Sequence, residues 1–197
     1  MTNADLPDPW PEVFLLMWEA YAAGTIPVGA VITDQTGAVV SRGRNRIFND
    51  ESSEQLGRSR LAHAEINALL QLSSQHTYET YTLYSALEPC HLCLSAAIST
   101  RVGSLEYASS DSYGGAIGKL FPSRDHEAHP LNVSGPLEGP AGRLPEMLLV
   151  AHVLWRVPKG NAAGFYRCTN PDLVAEAESL PNPDADATLD DLFAMLA

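Results

Sequence analysis

Two short segments carry residues that could do chemistry: His63-Ala64-Glu65 and Pro89-Cys90-His91-Leu92-Cys93. The two thiols stand at i and i+3 on a segment whose proline suits the first turn of a helix, where its missing N–H costs nothing. Residues three apart on a helix share a face, so both sulfurs can meet one ion. The positive end of the helix favours their thiolate forms. Thiolate with imidazole selects a tetrahedral, borderline-soft metal over magnesium or calcium, which makes His63, Cys90 and Cys93 candidate ligands for Zn²⁺. A structural zinc takes four protein ligands, and the count here stops at three. Glu65 lies two positions from His63, off the same helix face, where it can reach a water in the open position rather than act as the fourth ligand. Zinc lowers the pKa of bound water to roughly 7, and a carboxylate that takes up the proton and hands it to a leaving amine adds about a hundred- to ten-thousand-fold in rate. His91, between the cysteines, points off their shared face and reads as a wall or surface residue.

The pair His-x-Glu and Pro-Cys-x-x-Cys resembles the signature of the zinc deaminases, which convert an exocyclic amino group of a nucleobase to a carbonyl. Further segments resemble that cytidine deaminase-like superfamily in its order: Ile26 to Ile32, Gly43-Arg44-Asn45-Arg46, Ala62 to Leu69, Leu83 to Cys90, Thr100 to Gly103 and Gly114 to Gly118. The resemblance covers roughly residues 12 to 120 and is nearest the branch of guanine deaminases and transfer-RNA adenosine deaminases. It implies a three-layer α/β/α fold with a central mixed sheet of about five strands, Zn²⁺ as cofactor, Glu65 as the catalytic proton carrier and a homodimer. It also implies substrate contacts: Asn45 where the family's side chain hydrogen-bonds the base, and Ala64 where a small residue admits a backbone amide. Asn45 reads equally as a turn residue. Asn161-Ala162-Ala163-Gly164-Phe165-Tyr166 resembles the aromatic segment that guanine-deaminase-like relatives close over the pocket; Tyr166 would stack on the base or bond to it there, or simply pack in the core. Asp111 falls near a family ribose position but reads as a solvated loop aspartate.

These residues must be positioned by elements visible in the hydrophobic pattern. Trp10 to Ala23 reads as a helix opened by Pro11 and ended by Gly24. Val28 to Thr33 and Ala38 to Arg42 read as strands around Asp34-Gln35-Thr36-Gly37. Leu61 to Leu72 and Pro89 to Thr100 read as helices, alternating with strands at Tyr81 to Ser85 and Val102 to Ala108, which is an α/β layer pattern with the ligands at the starts of two adjacent helices. Residues 121 to 143 read as an irregular connection with a short strand near Leu131 to Val133, and Pro145 to Val157 as a helix. His126 and His129 lie three apart, a spacing that outside a helix does not specify a second metal site. The chain divides into a flexible start at 1–9, a deaminase domain at 10–170 and an acidic tail at 171–197. Leu189, Leu192, Phe193 and Leu196 in that tail have helical spacing, consistent with docking or with fraying.

The 197 residues suffice for one well-buried domain. The net charge of −12 comes from the ends: five acids and no base in residues 1–41, seven acids and no base in residues 168–197, around a neutral body. Phosphate neutralisation dominates nucleic-acid affinity, so a neutral body weakens an RNA reading. Arg42, Arg44 and Arg46 alternate along a strand and could receive a phosphate, or form a solvated face with Asp50, Glu51 and Glu54. Three cysteines, two of them metal ligands, leave no disulfide framework and point to a reducing compartment, with Cys168 as a buried inert thiol. No leader-like segment and no run of about 20 apolar residues is visible, which implies a cytoplasmic protein without a membrane span. The expected activity is deamination of a free nucleobase or nucleoside, with guanine or a related aminopurine or aminotriazine favoured. Adenosine in transfer RNA is the alternative, followed by cytosine or cytidine and by a non-catalytic zinc-stabilised module.

Overall fold

Val13, Phe14, Met17, Ala20 and Tyr21 recur at three- and four-residue spacing and bury one face of helix α1 (Trp10–Ala22). Gly24, at φ +69°, ends it with its N–H on the Tyr21 carbonyl, a left-handed turn that a Cβ would strain. The computed structural model describes residues 2–119, 127–183 and 186–196. Strands β1 (Gly29–Thr33) and β2 (Val39–Arg44) form a hairpin whose turn is tied by Asp34, its Oδ1 accepting from the N–H groups of Thr36 and Ala38. Strands β3 (Tyr78–Leu87), β4 (Val102–Ser109) and β5 (Asn132–Ser134) complete a sheet of order β2-β1-β3-β4-β5. The β1 pairings are antiparallel, while β3–β4 and β4–β5 are parallel.

Helices α2 (Ala64–Leu69) and α3 (His91–Ser99) pack on one face of this sheet. On the other lie α1 and α4 (Gly139–Arg156), so the architecture is the expected α/β/α sandwich around a mixed five-stranded sheet. Helices α5 (Asn161–Thr169) and α6 (Pro171–Glu178) pack on α4, and α7 (Leu189–Met195) touches both α1 and α4. Thr188 caps α7 through reciprocal bonds with Asp191, and Phe193 is fully buried with its ring 5.5 Å from that of Phe14. The Asn3 N–H donates to the Asp190 carboxylate at 2.8 Å, and the Tyr21 hydroxyl donates to the Pro181 carbonyl at the same distance. No helix among the described residues is long and apolar enough to cross a membrane.

Several boundaries differ from the sequence reading. Pro89 precedes α3, and Cys90 is the N-cap with extended backbone angles. The second helix is confined to Ala64–Leu69, because residues 59 to 63 form a turn that delivers His63 to its N-cap. Helix α4 starts at Gly139 and runs through Pro145: Leu144, Pro145, Met147 and Leu148 form a buried face whose packing outweighs the lost N–H. Cys168 is exposed, since Ala163 and Tyr166 define the buried side of α5 and residue 168 falls off it. His126 lies outside the described residues, and His129 sits 3.8 Å from the Glu79 carboxylate.

Candidate active site

The ligand residues are brought together by two helix starts. His63 is the N-cap of α2 and Cys90 the N-cap of α3, with Cys93 in that helix's first turn. Helix α2 can lie against β2 because Gly43 has no side chain: a Cβ there would stand 2.1 Å from the Ala64 carbonyl oxygen. Cys93 Sγ is 3.4 Å from His63 Nδ1, Cys90 Sγ is 3.7 Å from it, and the two sulfurs are 3.7 Å apart. Tetrahedral zinc with Zn–S of about 2.3 Å and Zn–N of about 2.0 Å sets S···S near 3.7 Å and S···N near 3.5 Å, so donor types and spacings both fit that ion. These three residues form a zinc site, and they are the sole group of potential metal-holding side chains of this kind among the described residues.

Hydrogen bonding and burial set the charges. The Cys90 and Cys93 sulfurs share a hydrogen bond that holds the Cys90 thiol down at about 3 and, together with burial, pushes Cys93 up. The imidazole of His63 is raised by its bond with Cys90, against its burial, and its ring also bonds the Arg60 backbone carbonyl, a contact that fixes the ring's orientation. Glu65 is 4% exposed, and burial pushes its carboxyl up. One oxygen accepts from the Ser85 hydroxyl at 3.1 Å and the other lies 3.3 Å from Cys93 Sγ. A carboxyl held beside the ligands in this way, with its pKa raised, is suited to taking and returning a proton. Zinc bound here would supply a nucleophilic water near neutral pH.

His63, Glu65 and Cys90 line a cavity of about 310 Å³ at the carboxyl ends of the parallel strands β3 and β4, where open α/β sheets place their ligands. Asn45 lines it as well; it is 2% exposed, and its Oδ1 accepts from Thr25 Oγ1 at 2.8 Å and from the Ile47 N–H at 3.1 Å. That leaves the Asn45 amide nitrogen for the cavity. Tyr166, fully buried, is another wall, with its hydroxyl 3.4 Å from Asp111 Oδ1. Ala64 is in the core and is not a lining residue.

Asp111 is a lining residue rather than a solvated one. Burial raises its carboxyl, and it accepts from the N–H groups of Tyr113 and Gly114. Glu88 also lines the cavity, accepting from the backbone N–H of Asp111 and Ile117 and so tying down the loop after β4. Neither Glu88 nor Tyr113 stands out in the sequence as a site residue; the position of Glu88 beside Pro89-Cys90 is the available signal for the former. The arginine row is engaged locally: Arg42 pairs with Glu12, Arg44 donates to Asn49 Oδ1 at 2.7 Å, and Arg46 donates to the Asp50 carbonyl.

The chain is similar to several known proteins. The chain is 33% identical over 110 residues to a tRNA(Ile)-lysidine synthase of Deinococcus radiodurans, covering 54% of this chain and 18% of the synthase. It is 35% identical over 108 residues to a tRNA-specific adenosine deaminase of Haemophilus influenzae, covering 52% of this chain and 57% of that enzyme. The chain thus spans less than a fifth of the first relative and little over half of the second. A solved structure of guanine deaminase from Nitrosomonas europaea superposes with a TM-score of 0.56 at 26% identity, covering 75% of this chain and 85% of that one. The model of the cytidine and deoxycytidylate deaminase zinc-binding region matches residues 11–109. Since that stretch is half the chain and holds both ligand segments with the strands that position them, the protein belongs to the cytidine and deoxycytidylate deaminase zinc-binding family.

Proposed function

We propose that the chain is a zinc-dependent hydrolytic deaminase of an aminopurine, in which one water replaces the exocyclic amino group by a carbonyl and ammonia leaves. The observation that carries this reading is the convergence in one cavity of the zinc donors His63 and Cys90, the buried carboxyl of Glu65 and the Asn45 side chain. His63, Cys90 and Cys93 hold the metal. Glu65 would take a proton from the attacking water and give it to the ring nitrogen, then carry the proton of the newly added hydroxyl to the amine, which leaves as ammonia as the carbonyl forms. Asn45 offers an amide N–H to an acceptor on the base edge, and Tyr166 and Tyr113 provide aromatic wall. Ser85 holds one oxygen of Glu65 and so fixes the position of the proton carrier.

Two purines have specific support. Adenosine is favoured by the 35% identity to a tRNA-specific adenosine deaminase. Guanine is supported by the 26% identity and superposition on a guanine deaminase. The deciding measurement is ammonia release by zinc-loaded protein from guanine, guanosine, adenosine, adenosine 5′-monophosphate, cytidine and transfer RNA, with the Glu65→Ala protein alongside. Release from a purine substrate that is lost in Glu65→Ala, with zinc content and folding intact, is the expected result. Release from cytidine alone overturns the purine assignment, and release from none of them overturns the deaminase reading in favour of a zinc-stabilised module.

A further inference from the structure

A second cavity, of about 410 Å³, adjoins the catalytic one and shares Ile26, Tyr113, Leu149, Val153 and Ala162 with it. Two arginines, Arg60 and Arg156, line it, and no carboxylate does, although the chain has twice as many acids as bases. The guanidinium of Arg156 lies 3.6 Å from the centroid of the half-exposed Phe48 ring, and its contact with the Gly24 carbonyl is long, at 3.5 Å. Arg60 has no side-chain partner among the described residues.

The floor of the same cavity includes the start of α5. Gly160 is the N-cap, no side chain caps the helix and no acid lies in its first turn. The N–H groups of Asn161, Ala162 and Ala163 therefore have no acceptor within the helix, and all three residues line the cavity. A nine-residue helix with its N-terminus bare in this way favours an anion. Independently, His152 is 3% exposed, lines the cavity and has its Nδ1 buried with no partner among the described residues. Burial, with the neighbouring Arg156 charge, holds His152 down at about 4, so the ring is neutral at pH 7 and can donate or accept at that nitrogen. An unsatisfied buried polar atom is costly unless a ligand or water completes it.

We propose that the second cavity is a phosphate subsite: the base enters the catalytic cavity, and a phosphate on its ribose is held by Arg60, Arg156 and the α5 amide groups, with His152 bonding a ribose or phosphate oxygen. The inference rests on the aminopurine reading and narrows its substrate to a phosphate-bearing nucleoside, either a mononucleotide or a nucleotide within an RNA loop. The neutral average charge of the chain body is no obstacle, because the cations needed are concentrated where the substrate's phosphate would sit.

The test compares equilibrium binding of inosine 5′-monophosphate against inosine, and of guanosine 5′-monophosphate against guanosine, to zinc-loaded wild type, Arg156→Gln and Arg156→Lys. A charged hydrogen bond to phosphate makes the monophosphate of at least one pair bind about tenfold or more tightly than its nucleoside. Arg156→Gln collapses that ratio toward one, and Arg156→Lys keeps part of it, retaining charge without the planar fork. A short RNA hairpin carrying one unpaired adenosine forms the second arm: an Arg156-dependent affinity that exceeds the mononucleotide's and falls steeply with salt assigns the phosphate to RNA, and the reverse order assigns it to a mononucleotide. Equal affinity within both pairs, or a ratio unchanged in Arg156→Gln, overturns the subsite. The two readings fail separately: Glu65-dependent ammonia release without a phosphate preference sinks only the subsite, whereas an Arg156-dependent phosphate preference in a protein inactive on every purine sinks only the deaminase assignment.

Discussion

Replacing Gly43 by alanine should damage the zinc site without touching a ligand. The new Cβ would lie 2.1 Å from the Ala64 carbonyl oxygen and 2.5 Å from the Ala68 nitrogen, where ordinary contacts begin at 3.4 Å. Both are backbone atoms of α2, so no side-chain rotation relieves the clash, and the helix must move off β2 by about 1.3 Å, the shortfall at the carbonyl. His63 is the N-cap of that helix and moves with it. Its distances to Cys93 and Cys90, 3.4 and 3.7 Å, are at present those of a tetrahedral zinc, and such sites hold metal–ligand lengths within about 0.2 Å. Overpacking of this kind costs about 1–3 kcal/mol, which in a domain of this size lowers the melting temperature by about 2–12 °C. Zinc affinity should fall by about ten- to a hundredfold, comparable to losing the groups that orient a ligand. Competition with a chromophoric zinc chelator measures the affinity, and thermal unfolding of the zinc-free protein measures the packing cost separately. A Gly43→Ala protein with zinc affinity within threefold of wild type and an unchanged melting temperature would refute the claim that this close approach positions His63.

Three further outcomes follow from the same geometry. Cys93→Ala leaves two donors, so zinc affinity falls by more than about a hundredfold, beyond the effect of losing an outer-shell group, and ammonia release falls in step when metal content is titrated. Phe193→Ala opens a void against Phe14 in a fully buried position; it should cost about 3–5 kcal/mol in urea unfolding, and a loss below 1 kcal/mol would show that α7 is not part of the core. Gly164→Ala, in the exposed middle of α5 where a Cβ meets nothing within 4 Å, should raise stability by about 0.5–1 kcal/mol through helix propensity alone, read as a higher unfolding midpoint.

The zinc donors and Glu65 were legible because their chemistry is local: His63 and Glu65 are two residues apart, Cys90 and Cys93 three, and each pair sits at one helix start. The α/β alternation was legible for the same reason, since strands such as β1 are buried at every position and read as continuous apolar runs. Boundaries were not. Pro145 looked like a helix start because propensity weighs a proline against the interior, yet tertiary burial of Leu144, Met147 and Leu148 carries α4 through it. Asp111 looked solvated because its burial depends on partners far along the chain: Glu88, 23 residues before it, and Tyr166, 55 after. The cavity wall made by Leu149 and Val153 was hidden likewise, as nothing in a helical pattern says which residues will face a site built by another part of the chain.

The residues proposed for reaction and those proposed for substrate choice come largely from different parts of the chain. The family match ends at residue 109, which includes His63, Glu65, Cys90, Cys93 and Asn45. Beyond it lie Asp111, Tyr113, Leu149, Val153, Ala162 and Tyr166, all walls of the catalytic cavity, and also His152 and Arg156 of the adjoining one. The matched half holds the zinc donors and, on the proposed reading, the proton carrier Glu65 that serves whichever amino group the cavity presents. On the same reading, the choice of that group rests largely with α4, α5 and the loop after β4, with Asn45 and Arg60 contributed by the matched half; Glu88 on one side and α6 on the other secure their packing. Substitutions in residues 11–109 at the zinc site should therefore lower turnover on every substrate alike, while substitutions at Tyr113, His152 or Arg156 should change the ratio between substrates. A uniform loss across all substrates in the second group would mean that the C-terminal half only supports the site, and the division of labour would have to be abandoned.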